Sequence, residues 1–135
     1  MQFYVNSRNK TTKQFIERII PSMIAQLGLT RSRKTLFIKV TRDICEDDLD
    51  GVTANLKNLD SILILIKPTS YEKMGVTLAH EMVHAKQLAQ GTLKSVKGIN
   101  YWRGKKFSKR TKYLDQPWEI EAFSKQELIF RRAIQ

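Results

Sequence analysis

The first apolar pattern in the chain is helical. Within residues 11–29, Phe15, Ile19, Ile20, Met23, Ile24 and Leu27 recur at three- and four-residue spacing, which gathers them on one side of a helix. Thr11 or Thr12 can cap its start and Gly28 suits its end. Pro21, inside the pattern, predicts a kink or a division. Ahead of this helix, residues 2–5 (QFYV) read as a short strand or an ordered arm. Three stretches then read as strands: 35–40 (TLFIKV), 51–56 (GVTANL) and 61–67 (SILILIK). The unbroken apolar run of the last predicts burial on both faces. An acidic loop with Asp43, Glu46, Asp47, Asp48 and Asp50 separates the first two. A second helix starts after Thr69 or Ser70 and runs to about residue 90, with Gly91 beyond it. Its apolar stripe is Tyr71, Met74, Leu78, Met82, Ala85 and Ala89. Residues 92–113 read as a twisted hairpin or irregular sheet insert. Pro117 opens a last helix, at a position where its missing N–H costs nothing, and that helix reaches about residue 133. Trp118, Ala122, Leu128, Ile129 and Phe130 are its apolar positions. This order of elements predicts an α+β fold: a small mixed sheet, an N-terminal helix and a C-terminal helix.

Composition narrows the class. A length of 135 residues fits one small domain, 1–135, and 41% apolar with 27% charged residues is a globular balance. The single cysteine, Cys45, excludes an intrachain disulfide and any zinc site of four cysteines, or of two cysteines and two histidines, within one chain. Cys45 itself reads as a small buried residue. No apolar stretch follows a basic start, so no signal peptide is expected. The longest aliphatic run, 62–66, is far short of the ~20 residues that span a bilayer. These features predict a soluble, cytoplasmic protein with no membrane partner.

The formal charge of +11, from 24 Lys+Arg against 13 Asp+Glu, favours contact with anionic partners. It is unevenly spread. Residues 1–70 carry net +4 and residues 71–135 net +7. Within 94–112 there are eight basic residues and no acid, with Tyr101, Trp102 and Phe107 interleaved. Basic groups among aromatics are what a single-stranded nucleic-acid surface uses. A solvated lysine-rich hairpin with inward aromatics is the competing reading, and selection of acidic substrates is compatible with either.

Both histidines of the chain fall in HEMVH, residues 80–84. On a helix, imidazoles four residues apart lie on one face, at a spacing that lets both bind a single tetrahedral zinc. Glu81 lies about 100° around the helix, beside such a metal rather than on it, where it can take a proton from an attacking water. Chance placement of the histidines and the glutamate gives this arrangement on the order of once in a thousand. Catalytic zinc needs a third protein ligand. No third histidine exists, so a downstream acid is expected, from Asp115, Glu119, Glu121 and Glu127.

The combination of HEMVHAKQ, the segment Trp102-Arg103-Gly104 and QPWEIEA resembles small zincin metallopeptidases of the gluzincin kind. It is particularly similar to short metallopeptidase-like proteins encoded by bacteriophages, which would act inside the host cell. The resemblance runs over about residues 51–123. It implies a minimal zincin-like domain, Zn2+ as cofactor and hydrolysis of a protein or peptide substrate. Laid on the family's pattern, Glu119 is the third ligand and Glu121 the alternative. The two point about 200° apart on a helix, so both cannot hold one zinc. Phe123 stands where the family carries an acid that orients a ligand. Tyr101, Arg103 and Tyr113 are candidate oxyanion donors, and Ala54 and Asn55 are placed on a strand beside the cleft. The alternative function is a basic nucleic-acid-binding protein, using 94–112, with a structural or vestigial zinc.

Overall fold

A computed structural model describes residues 1–44 and 49–135; the expectation for Cys45, and Glu46, Asp47 and Asp48 of the acidic loop, lie outside the described residues. Strands β1 (Gln2–Asn6), β2 (Thr35–Val40), β3 (Gly51–Leu56) and β4 (Ser61–Ile66) form one mixed sheet in the order β1-β2-β4-β3. Helix α1 (Lys10–Gln26) makes the crossover between β1 and β2, which pair in parallel, as do β2 and β4. β3 returns antiparallel to β4, Thr53 opposite Ile64, and so becomes a sheet edge. Helix α2 (Tyr71–Ala89) follows β4, and helix α3 (Pro117–Ala133) ends the chain. Between them β5 (Leu93–Val96), β6 (Ile99–Trp102) and the two-residue β7 (Lys105–Lys106) form a separate antiparallel sheet within the region read as an insert. The α+β fold expected from the pattern is the one observed.

Each element has a local cause. Asn9, rather than Thr11 or Thr12, caps α1, its Oδ1 accepting from the Thr12 amide at 3.0 Å. The helix runs undivided through Pro21. Pro21 is exposed, so the carbonyl it leaves unpaired one turn back can be hydrated. Ser70 caps α2, accepting from the Lys73 amide at 3.2 Å. Pro117 occupies the first turn of α3, as expected.

The core lies between the sheet and the helices. Ile16, Ile19, Ile20 and Met23 of α1 meet Leu36, Ile38, Ile62, Ile64 and Ile66 of the sheet, all 1% exposed or less. Each such side chain contributes about 1.5–3 kcal/mol by leaving water. The expectation that 61–67 is buried on both faces holds for one face only. Leu63 and Leu65 of β4 are half-buried, and on the same outer face Phe37 stacks on an exposed Tyr4 at 5.6 Å. These side chains shield one another without a covering helix among the described residues.

Helix α2 is enclosed more completely than one apolar stripe requires. Met74, Leu78, Met82 and Ala85 are buried as expected, but so are His80, Glu81, His84 and Gln87, because α3 packs over the histidines and Gln87 and β3 over Glu81. Tyr71 leaves the stripe and stacks, exposed, on Phe15. Gly75 permits the approach of α3, since a Cβ there would overlap the Phe130 ring. On α3, Trp118, Ala122, Ile129 and Phe130 are buried, whereas Leu128 is exposed. No described helix is long and apolar enough to cross a membrane.

Candidate metal centre

His80, Glu81 and His84 form a buried group whose ligand-type atoms all lie within 4.8 Å of one another, and it could hold a metal ion. Two glutamates compete to complete it. Glu81 is drawn toward the sheet: Thr53 Oγ1, on the edge strand, donates to its Oε1 at 2.8 Å. Gly51 allows β3 to come this close, because a Cβ there would sit 2.8 Å from Thr77 Cγ2 and 3.0 Å from Glu81 Cγ. Glu119 approaches from α3 and touches both imidazoles. Its Oε1 lies 2.9 Å from His80 Nε2 and 3.0 Å from His84 Nε2, and the two Nε2 atoms are 3.2 Å apart. Glu119 stands in the first turn of its helix, where the helix dipole favours a carboxylate.

The other ring nitrogens fix what these atoms can be. His84 Nδ1 is 2.8 Å from Gln87 Oε1. The Gln87 amide has one orientation only, because its Nε2 donates to the Trp118 carbonyl and to Glu121 Oε1, both at 3.1 Å. His84 must therefore donate from Nδ1, leaving Nε2 as the inward atom. His80 Nδ1 lies 2.8 Å from Gln126 Oε1. Two inward Nε2 atoms and a carboxylate oxygen thus crowd one point, an arrangement that a proton or a cation between them holds together.

A tetrahedral zinc at ~2.0–2.1 Å from its ligands spaces them about 3.3 Å apart. The observed 2.9, 3.0 and 3.2 Å need to open by only a few tenths of an ångström. The donor set of two imidazoles and one carboxylate fits zinc, with an open fourth position.

Of the residues singled out in the sequence, the fold brings His80, His84, Glu81 and Glu119 together. Glu121 is turned away from the imidazoles and supports Gln87 instead. Asp115 and Glu127 are exposed. Among the candidate oxyanion donors, Tyr113 alone reaches the centre, donating to Glu119 Oε1 at 3.0 Å. Tyr101 and Arg103 belong to the hairpin and do not line the cleft; the Arg103 guanidinium lies over the Trp102 ring at 5.6 Å. Phe123, where an acid was missing, packs edge-on against the His80 ring at 4.6 Å. The oxygen His80 needs comes instead from Gln126, one turn further along α3. Gln87, Gln126 and Thr53 were not anticipated. Gln87 could have been found three residues after His84, and Gln126 seven residues after Glu119 on the same helix face. Nothing in the sequence marks Thr53.

The centre opens onto a cleft of about 550 Å³ running beside β3, lined by Val52, Ala54, Leu88, Leu93 and Trp118 among others. Ala54 and Asn55 lie on its wall, and Asn55 Oδ1 is buried with no hydrogen-bond partner. The hairpin's rings turn inward. Phe107 meets Trp118 edge-on at 5.5 Å, and Trp102 lies 6.4 Å from the same ring.

Electrostatics follow from burial and crowding. Burial pushes the Glu81 carboxyl up, only partly countered by His84, the Thr53 hydrogen bond and His80. For Glu119 burial also works upward, but hydrogen bonds from His80, His84 and Tyr113 outweigh it and bring the carboxyl to about 2. Burial works against the His84 cation, yet Glu119 and Glu81 raise His84 above its ordinary value. Burial first, and then Glu119, pushes the Tyr113 hydroxyl up.

These directions predict an unusual stability profile. Glu81 and His84, both raised, hold more protons folded than unfolded. Their contribution is complete below their unfolded values and lost as pH rises through the folded ones. Glu119, lowered, loses its contribution only in acid, approaching about 2. Metal-free protein should therefore lose thermal stability as pH rises above the ordinary range of a carboxyl and then of an imidazole. With excess zinc the trend should reverse, because protons and metal compete for Nε2. Melting curves with and without zinc across this range check it; a flat metal-free profile would contradict the assignment.

No known family, curated protein or solved structure matches the chain, so its geometry carries the functional reading.

Proposed function

We propose that this protein is a zinc-dependent metallopeptidase. The observation that carries the reading is the convergence of His80 Nε2, His84 Nε2 and Glu119 Oε1 within 2.9–3.2 Å, with Glu81 beside them at the side of a cleft. Zinc held by these atoms would polarise a substrate carbonyl and lower the pKa of a water in its open position to about 7. Glu81 is the general base: it accepts a proton from the attacking water and passes it to the leaving amine. Its raised pKa moves it toward the working pH of such a group. The Tyr113 hydroxyl is the donor available to a carbonyl oxygen as negative charge develops there. β3, as a sheet edge, offers backbone N–H and C=O groups to an extended peptide.

Purified protein should bind one equivalent of zinc and cleave an unfolded protein such as reduced casein. A chelator should abolish cleavage, and added zinc should restore it. Protein that takes up no zinc would overturn the proposal. The nucleic-acid reading has the charge of 94–112 in its favour. Against it, Trp102 and Phe107 are packed on Trp118 rather than free to stack on bases.

A further inference from the structure

The cleft is chemically divided along its length. Near the metal centre its wall is apolar, with Val52, Ala54 and Trp118. At the far end it is lined by Lys57, Ser95 and Asn100. Lys57 follows β3, and its Nζ donates to the Ser95 carbonyl of β5 at 3.1 Å, joining the sheet edge to the hairpin. That partner is neutral, and among the described residues no carboxylate forms an ion pair with the ammonium. The exposed side chain is free to turn toward a better acceptor. Among the described lining residues the acids are Glu81 and Glu119, both at the metal end. The hairpin beyond, residues 92–112, contains no acid at all.

An ammonium with neutral hydroxyl and amide groups around it, in a basic surrounding and at the end of an apolar channel, matches a carboxylate. The geometry points to a carboxylate subsite at Lys57, which selects peptides with an acidic group at a fixed distance from the scissile bond. This inference rests on the peptidase reading for the meaning of that distance. Thr53, which holds Glu81, and Leu56, which precedes Lys57, are three strand residues apart, about 10 Å. An extended peptide lying along β3 would therefore place its carboxylate roughly three residues from the bond that is cut. The carboxylate can belong to an Asp or Glu side chain or to the peptide's own C-terminus.

The test uses binding, so that it stands apart from catalysis. Zinc-treated Glu81→Gln protein is titrated with fluorescein-labelled peptides of alanine, leucine and serine. One Glu, or Gln as control, is moved through successive positions, with the C-terminus either free or amidated. The expected result is one position at which Glu binds about tenfold more tightly than Gln, an advantage weakened by salt. Lys57→Met should erase that preference, and Lys57→Glu should transfer it to peptides carrying Lys there. If only the free C-terminus gives the gain, the subsite reads chain ends rather than side chains. Equal affinity for Glu and Gln at every position, together with equal affinity for free and amidated ends, would overturn the subsite. So would a preference that survives in Lys57→Met. A Lys57-dependent preference in a protein whose wild type cuts no peptide would sustain the subsite and sink the peptidase reading.

Discussion

Glu81→Gln should retain zinc and lose peptide hydrolysis by at least 10²–10⁴-fold, the usual contribution of a general base. The substitution changes one oxygen to nitrogen and leaves His80, His84 and Glu119 in place. Thr53 Oγ1, which donates to Glu81 Oε1 at 2.8 Å, can still donate to the carbonyl oxygen of the amide, so the side chain keeps its position. What disappears is the carboxylate proposed to receive the proton. Burial disfavours the charged carboxylate at this position, whereas a buried amide carries no charge to desolvate. Metal-free Glu81→Gln should therefore melt no lower than the parent. Zinc stoichiometry, turnover and melting temperature, measured together, separate a lost base from a lost fold. Full activity in this variant would remove Glu81 from the chemistry.

The second large effect separates two glutamates that lie two residues apart. Glu119→Ala deletes an atom that contacts both imidazoles and should abolish stoichiometric zinc binding. Glu121→Ala removes only the acceptor that holds Gln87 Nε2, so His84 loses an indirect support. Zinc affinity should then fall by about 10–100-fold, the usual effect of losing such an outer partner. Glu121→Gln keeps an oxygen facing Gln87 and should bind zinc nearly as tightly as the parent. Competition with a chromogenic chelator measures all three. If Glu121→Ala lost zinc entirely and Glu119→Ala kept it, the ligand assignment would be reversed.

The elements were legible wherever local chemistry decided them. The 3–4 spacing from Phe15 to Leu27 marked α1, and the position of Pro117 marked the start of α3. The cap of α1 was misplaced by a few residues because Asn9, Thr11 and Thr12 all satisfy the same local rule. Leu63 and Leu65 misled for another reason. An apolar run states what a strand tolerates, and only the tertiary arrangement decides whether a helix covers each face. At the centre, His80, Glu81 and His84 could be read from one turn of helix. Glu119 needed a second element and emerged only from a family pattern. Gln126 replaces the expected acid from one turn further along, a shift no rigid pattern anticipates. Thr53 depends on how close β3 comes to α2, which is a property of packing rather than of any short segment.

Trp118 ties two regions that look separable. Its carbonyl fastens Gln87, and through Gln87 the His84 ring, while its indole is the floor on which Trp102 and Phe107 rest. The basic hairpin is therefore part of the scaffold of the histidine pair, not an accessory laid over it. A molecule that pulls on the hairpin also pulls, through Trp118 and Gln87, on the His84 imidazole. Trimming the hairpin to simplify the protein would strip the support from the indole whose backbone steadies the imidazole.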